Sequence, residues 1–194
     1  MANLKRTRDD ILASILDTVH RKGFNATGLS ELFAVSGASS GSFYNYFRSK
    51  NDLGHALIDF EWAQLRTNVL EPAAKCDDPI TQVFWILECL ESKQLVEPHC
   101  GGCLLGNLIV DLVEEDESFR GHLTRVFDEW ERVIAQALYK GKNQLKPDVV
   151  PDILAEQIIT LIEGVMLLGR LRRDPVRIRR GFDGGRNLLR ASLR

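Results

Sequence analysis

The densest run of reactive side chains in the chain is His99-Cys100-Gly101-Gly102-Cys103. Two thiols and an imidazole this close together admit four readings. A zinc site takes about four N or S ligands; the run supplies three, so His122 or another distant residue would have to complete it. A catalytic C-x-x-C dithiol expects a βαβ setting. A sensing thiol needs a lowered pKa. Cys103 stands directly before the apolar run Leu104–Val113, which reads as a short helix. The positive end of that helix dipole would favour the thiolate, a protonated His99 would assist, and Cys100 would serve as a resolving thiol. The fourth reading is that Cys103 is a small buried residue without reactivity.

A second set of residues suggests chemistry of recognition. Thr27 to Leu53 reads TGLSELFAVSGASSGSFYNYFRSKNDL. Thr27 is a candidate N-cap, and Leu29, Leu32 and Phe33 at i, i+3, i+4 give one apolar face to a short helix. Gly37 suits a tight turn, and Ser39 or Ser40 caps a second short helix. That helix presents Ser40, Gly41, Ser42 and Asn45, all small or polar, while Phe43 and Phe47 anchor its inner side. Such a surface allows close approach to base edges. Ser49 and Asp52 form a capping-box pattern for a further helix. Lys50 sits in that first turn, where a cation is unfavourable and a phosphate would compensate.

These elements resemble the TetR family of bacterial transcription regulators. The resemblance is carried by Thr27, Leu32, Gly37, Ser39, Gly41, Phe43, Tyr44, Tyr46, Phe47, Ser49, Lys50 and Leu53, and spans about 47 residues with the preceding helix. Ser36-Gly37-Ala38 departs mildly from the Ala-Gly-Val commoner at the turn. The resemblance implies an all-α fold: a helix-turn-helix head over residues 1–50 and a helical effector-binding and dimerisation body over 51–194. It implies a transcriptional repressor, not an enzyme, that binds double-stranded DNA at a palindromic operator as a homodimer and needs no cofactor. Thr27, Tyr44, Tyr46 and Lys50 are then expected at phosphates, Ser40, Ser42 and Asn45 at bases, with Gly41 allowing backbone approach. Gly102 to Leu108, GCLLGNL, resembles the branch containing an electrophile-responsive repressor, in which a cysteine at the position of Cys103 senses. A non-covalent hydrophobic effector remains an alternative, as does a thiol oxidoreductase or metal protein using Cys100 and Cys103.

The elements that must position these groups read as helices throughout. A first helix is capped by Thr7 with Asp10 and ends at Gly23. Beyond the head, a long helix starts at Ser49, another at Asp77-Asp78-Pro79, and Phe119 to Leu138 traces a stripe of period 3.6. Phe84, Leu87, Phe127 and Trp130 are the expected pocket residues, since effector sites between helices are commonly aromatic and apolar. Pro151–Arg172 is apolar nearly all round and must be buried on several sides. Leu161, Gly164, Val165 and Leu168 are therefore the expected dimer contacts. Charge divides the same way. Residues 1–50 carry seven basic against four acidic side chains (+3), 51–169 nine against 21 (−12), and 170–194 nine against two (+7). A basic head on an acidic body suits DNA binding by one end, and the C-terminal arginines read as a solvated face with salt bridges. No apolar run is long enough to span a membrane and the N-terminus has no apolar signal segment, so cytoplasmic residence and free thiols are expected.

Overall fold

A computed structural model describes residues 6–96 and 101–194, and His99 and Cys100 lie outside that range. The head is three helices, α1 (Arg8–Lys22), α2 (Leu29–Ser36) and α3 (Ser40–Tyr44). Thr7 and Asp10 close a reciprocal capping box on α1, which ends at Gly23 as expected. Gly37 makes the turn between α2 and α3 with φ 64°, a left-handed conformation in which a Cβ is strained. Ser39 caps α3 by accepting from the Ser42 N–H. Ile11, Leu12, Ile15, Leu32, Phe43 and Phe47 fill the space between the three helices. Each side chain of this size contributes about 1.5–3 kcal/mol on full burial.

Thr27 is not the cap of α2. Gly28 occupies that position, and Thr27 is fully buried with its hydroxyl donating to the Gly23 carbonyl at 2.7 Å. Its role is to lock the turn between α1 and α2, so its hydroxyl is not offered to a phosphate.

The body begins with α4 (Lys50–Leu65), which continues through a π-helical turn, Arg66–Leu70, into Glu71–Ala73. Ser49 caps α4 by accepting from the Asp52 N–H, and the Asp52 carboxylate accepts in return from Arg48, one residue earlier than a capping box requires. Then follow α5 (Pro79–Val96), α6 (Leu104–Leu112), α7 (Glu117–Lys140), α8 (Pro151–Arg172) and α9 (Pro175–Ala191). Among the described residues there is no strand, and no helix is long and apolar enough to cross a membrane. The stripe expected on α7 is the one buried, from Phe119 through Trp130 to Leu138. It packs on the Leu154, Ile158 and Ile162 face of α8, and α9 covers the other side. The arginines of α9 are partly anchored: Arg186 pairs with Glu91 and Asp183, and Arg190 lies 5.5 Å over the Phe84 ring.

The four α8 residues expected in an interface divide. Leu161 and Val165 are half-buried and pack within the chain against α9, near Gly185 and Gly181. Gly164 and Leu168 are exposed, beside exposed Leu167 and Leu171.

The α4–α7 junction holds a directed chain of hydrogen bonds. His122 Nε2 donates to Asp59 at 2.9 Å, so in the neutral ring its Nδ1 must accept. It accepts from His55 Nδ1 at 2.9 Å, which leaves His55 Nε2 to accept from Ser118 at 3.1 Å. The His55 ring also stacks on Phe119 with centroids 4.2 Å apart. Burial and then the neighbouring His122 hold the His55 pKa below the ordinary histidine value, against the opposing pull of Asp116, Asp59 and Asp52. The fold therefore favours neutral His55, and its contribution is complete above the unfolded value of about 6.5 and is lost as the pH falls below it. The Tm of the wild type should drop between about pH 7.5 and 5.5, which bracket that value. His55→Asn, which cannot titrate, should show a flatter profile in thermal denaturation; an identical profile would remove the histidine pair as its source.

Candidate functional site

Two sites were expected, one on α3 and one beside Cys103. On α3 and its exit, Ser40, Gly41, Tyr44 and Asn45 are exposed and Ser42 is half-buried. Nothing lies within 4 Å of a Cβ built on Gly41, so the α3 backbone is open to a large ligand there. Tyr44 is 49% exposed, with the edge of its ring seated on Phe33 and Phe43, and this packing fixes the direction of its hydroxyl. Tyr46 is turned toward the head instead, donating to the Arg6 carbonyl at 3.1 Å. Lys50 is half-buried: its ammonium donates to the Asn25 carbonyl at 3.2 Å and lies 5.0 Å over the Phe24 ring. Burial lowers its pKa and the nearby Asp111 opposes the shift. The cation in the first turn of α4 is thus already compensated inside the protein.

The second site is a cavity of about 510 Å³ between the head and the body. It is lined from α1 by Leu16, Asp17, His20 and Arg21, from α4 by Glu61, Gln64 and Leu65, and from α5 by Lys93 and Gln94. Gly101, Gly102 and Cys103 close one side, with Trp130 of α7 and Met166 of α8 behind. Of the expected pocket residues only Trp130 lines it. Phe84 lies under Arg190, Leu87 is fully buried core, and Phe127 packs its ring 5.9 Å from Trp130. The lining is more polar than expected, because the chain ends of α1, α4 and α5 contribute their solvated faces.

Cys103 is indeed the N-cap of α6, and its sulfur accepts from the Gly106 N–H at 3.4 Å. The expected lowering of its pKa is overturned. Burial is the largest effect and pushes the thiol well above its ordinary value; Glu163 adds to this, against the weaker Gly106 hydrogen bond. Desolvation of a thiolate and a neighbouring carboxylate outweigh one helix end. Glu163 itself is pushed up to about 7 by burial. Zinc ligation by the His99–Cys103 run falls outside the described residues; among those described, no group of three or more His, Cys, Asp or Glu side chains is placed to hold a metal.

The wall of the cavity is also the mounting of the head. His20 of α1 hydrogen-bonds the Gly102 carbonyl at 3.1 Å, and Gln94 donates to the same oxygen at 3.2 Å. Gly102 has φ 79°, and a Cβ on Gly101 would lie 2.7 Å from the His20 ring. Only glycines let this strand of backbone pass so close to α1. At the far end of α6, the Asp111 carboxylate accepts from the Phe24 N–H at 2.6 Å and its carbonyl from Asn25 at 2.5 Å. One nine-residue helix therefore has Cys103 at its first end and the head at its other. Sequence reasoning missed His20, Glu61, Gln94, Asp111 and Glu163. Glu163 had a visible signal, a carboxylate set in an otherwise apolar helix; the others come from separate elements and are joined only by the fold.

Comparison with known proteins agrees with this architecture. Residues 11–57 match the family model of bacterial regulatory proteins of the tetR family, and residues 90–184 match the tetracyclin repressor-like C-terminal domain. The transcriptional regulator AcuR of Cereibacter sphaeroides is 30% identical over 168 residues, 83% of this chain and 76% of that protein. The HTH-type transcriptional repressor NemR of Escherichia coli is 28% identical over 71% of this chain and 69% of its own length. A crystal structure of a regulatory protein TetR from Rhodobacter sphaeroides superposes with a TM-score of 0.85 at 26% identity, over 95% of this chain and 98% of that one. With its head and body both matched, and the helix-turn-helix in place, the chain belongs to the TetR family of helix-turn-helix transcription regulators.

Proposed function

We propose that this chain is a homodimeric, cytoplasmic repressor that grips a palindromic operator through α3 and releases it when a small molecule occupies the cavity beside Cys103. The observation that carries the reading is shared structure: His20 and the Gly101-Gly102-Cys103 segment form the cavity wall and hold α1. An occupant that moves this wall moves the head, and two heads must keep a spacing of about one DNA turn, ~34 Å, to read both half-sites. Tyr44 and Lys50 position the protein on phosphates, with Lys50 leaving Asn25 and Phe24 to do so. Ser40, Ser42 and Asn45 read base edges, with Gly41 allowing the approach. Tyr46 acts indirectly, by tying the segment before α1 to the exit of α3. The exposed Gly164 and Leu168, with Leu167 and Leu171, supply the two-fold contact, while Leu161 and Val165 brace α8 against α9.

A rival reading makes Cys100 and Cys103 an enzymatic dithiol. The raised pKa of Cys103 speaks against it, since thiol exchange proceeds through the thiolate.

Four variants have expected outcomes, the first three read with an operator selected in vitro from random duplexes. Gly101→Ala pushes a methyl into His20 and should imitate an occupant, lowering operator affinity roughly tenfold, within the usual allosteric range. Unchanged affinity in a folded variant would sink the coupling of wall and head. Tyr44→Phe keeps the ring packing and should weaken binding to every duplex by about 0.5–1.5 kcal/mol, the net value of one hydrogen bond, whereas Asn45→Ala should reduce discrimination between duplexes; gel-shift titrations distinguish the two. Leu168→Glu alters a side chain already exposed in the protomer, so folding should persist while sedimentation shows monomer. A stable dimer there would place the interface elsewhere.

A further inference from the structure

The most basic stretch of the chain lies in the body, not in the head. Residues 170–180 carry six arginines against one aspartate, a net charge of +5. They form the end of α8, the turn at Arg173 and Asp174, and the first turns of α9. Further along α9, Arg186 and Arg190 are anchored on the protein. Arg172, Arg173, Arg179 and Arg180 are not: all four are exposed, and their guanidinium groups make no ion pair or hydrogen bond among the described residues. Arg177 has Asp174 as its partner, at 3.4 Å. A helix dipole accounts for cations at the end of α8, where they meet its negative pole, and for none in the first turns of α9. Arg173 itself has φ 50°, a left-handed conformation for which glycine is the usual choice at a helix end. An arginine there keeps a cation at the tip of the turn against the preference of its backbone.

The position of the turn follows from its neighbours. Arg170 donates to the carbonyl of Arg21, in the last turn of α1, at 3.4 Å, so this end of α8 is on the head side of the body. The other end, about 30 Å away at 1.5 Å per residue, is tied to Tyr139 of α7 through Asp152. The exposed leucines of the two-fold contact, Leu168 and Leu171, run directly into Arg172 and Arg173. Two such turns therefore flank the axis of the dimer. When a protein dyad coincides with an operator dyad, whatever lies beside the axis on the head side faces the centre of the duplex. We propose that the Arg172–Arg180 turn is a second DNA contact, one that neutralises backbone phosphates between the half-sites without reading sequence. The proposal rests on the reading of the chain as a dimer on a palindromic operator. It also gives a reason for like charges beside a two-fold axis. Without DNA the paired turns repel one another within a Debye length of about 8 Å at physiological salt; a duplex across the axis supplies the missing anions.

The test removes first the charges and then the phosphates. Arg172→Gln, Arg173→Gln, Arg179→Gln and Arg180→Gln are combined in one chain. All four side chains are exposed, so folding should persist, as circular dichroism would check. Affinity for the selected operator is titrated over a salt series. Each lost phosphate contact makes the slope of log affinity against log salt shallower by about 0.9. The variant dimer should therefore show a slope shallower by about two units or more, and an affinity lower by roughly tenfold or more at low salt. Its discrimination between operator and random duplex should be unchanged. Duplexes whose phosphates between the half-sites are replaced by neutral methylphosphonates locate the contact. The wild type should lose affinity for them and the variant should not. An unchanged salt slope overturns the proposal, and so does equal sensitivity of both proteins to the central methylphosphonates. A variant that sediments as monomer overturns it as well, since the arginines would then be pairing across the two-fold axis. A wild type that selects no duplex, or binds a lone half-site as a single head, brings down the dimeric operator reading itself and the proposal with it.

Discussion

The arrangement depends on the carboxylate of Asp111. Two polar groups of the α1–α2 turn, the Phe24 N–H and the Asn25 side-chain amide, have their partners not in the head but on this one residue of α6. Phe24 is buried, and a buried N–H left unpaired costs about 1–3 kcal/mol, whereas the exposed Asn25 amide can turn to water; the head therefore cannot rotate on the body without losing the Phe24 bond or carrying α6 along. Lys50, close to the same carboxylate, adds a charge to the junction. Because α6 is short and starts at Cys103, the head is in effect hinged on the cavity. The long α4, which the sequence marks as the obvious connector, carries the chain between the two units. The polar bonds that hold them in register run through α6 and the α1 end.

The thiol illustrates how competing local effects are settled by packing. A helix N-terminus favours an anion by about 0.3–1 kcal/mol at an exposed site, and Gly106 does donate to the sulfur. That gain is small beside the cost of desolvating a thiolate next to a carboxylate. Position along the chain therefore predicted the cap and missed the direction in which burial moves the thiol pKa. Glu163 belongs to a helix 60 residues away, and its effect on Cys103 exists only once α6 and α8 are packed.

Much of the fold was legible because it is written in local periodicity. The bounds of α8, Pro151–Arg172, follow from a proline suited to the first turn and an apolar run behind it; the α7 stripe and the caps at Thr7, Ser39 and Ser49 are equally local. The α2 cap was misread because Thr27 and Gly28 are both plausible at that position, and the choice was made by the Gly23 carbonyl, which takes the threonine hydroxyl. The exposure of Ser40, Gly41, Tyr44 and Asn45 was legible because two aromatic anchors four residues apart, Phe43 and Phe47, turn the other side of this segment inward. The cavity was not found, apart from Trp130 and Cys103, because aromatic content is a poor guide to where helices fail to meet. Phe84 and Phe127 fill gaps between helices, whereas the open space lies where polar helix ends converge on the head.

A consequence follows from the thickness of α8. On one side it presents Met166 to the cavity; on the opposite side it exposes Gly164, Leu168 and Leu171. Only one helix diameter, about 10–12 Å with side chains, separates the two. In the proposed dimer, the two cavities would then be insulated from one another by little more than a pair of helices. A shift of α8 that accommodates an occupant in one protomer would be felt directly at the two-fold axis. Such a dimer is built to respond as a unit, with the second occupancy easier or harder than the first, so the dose–response of operator release should have a slope different from that of two independent sites.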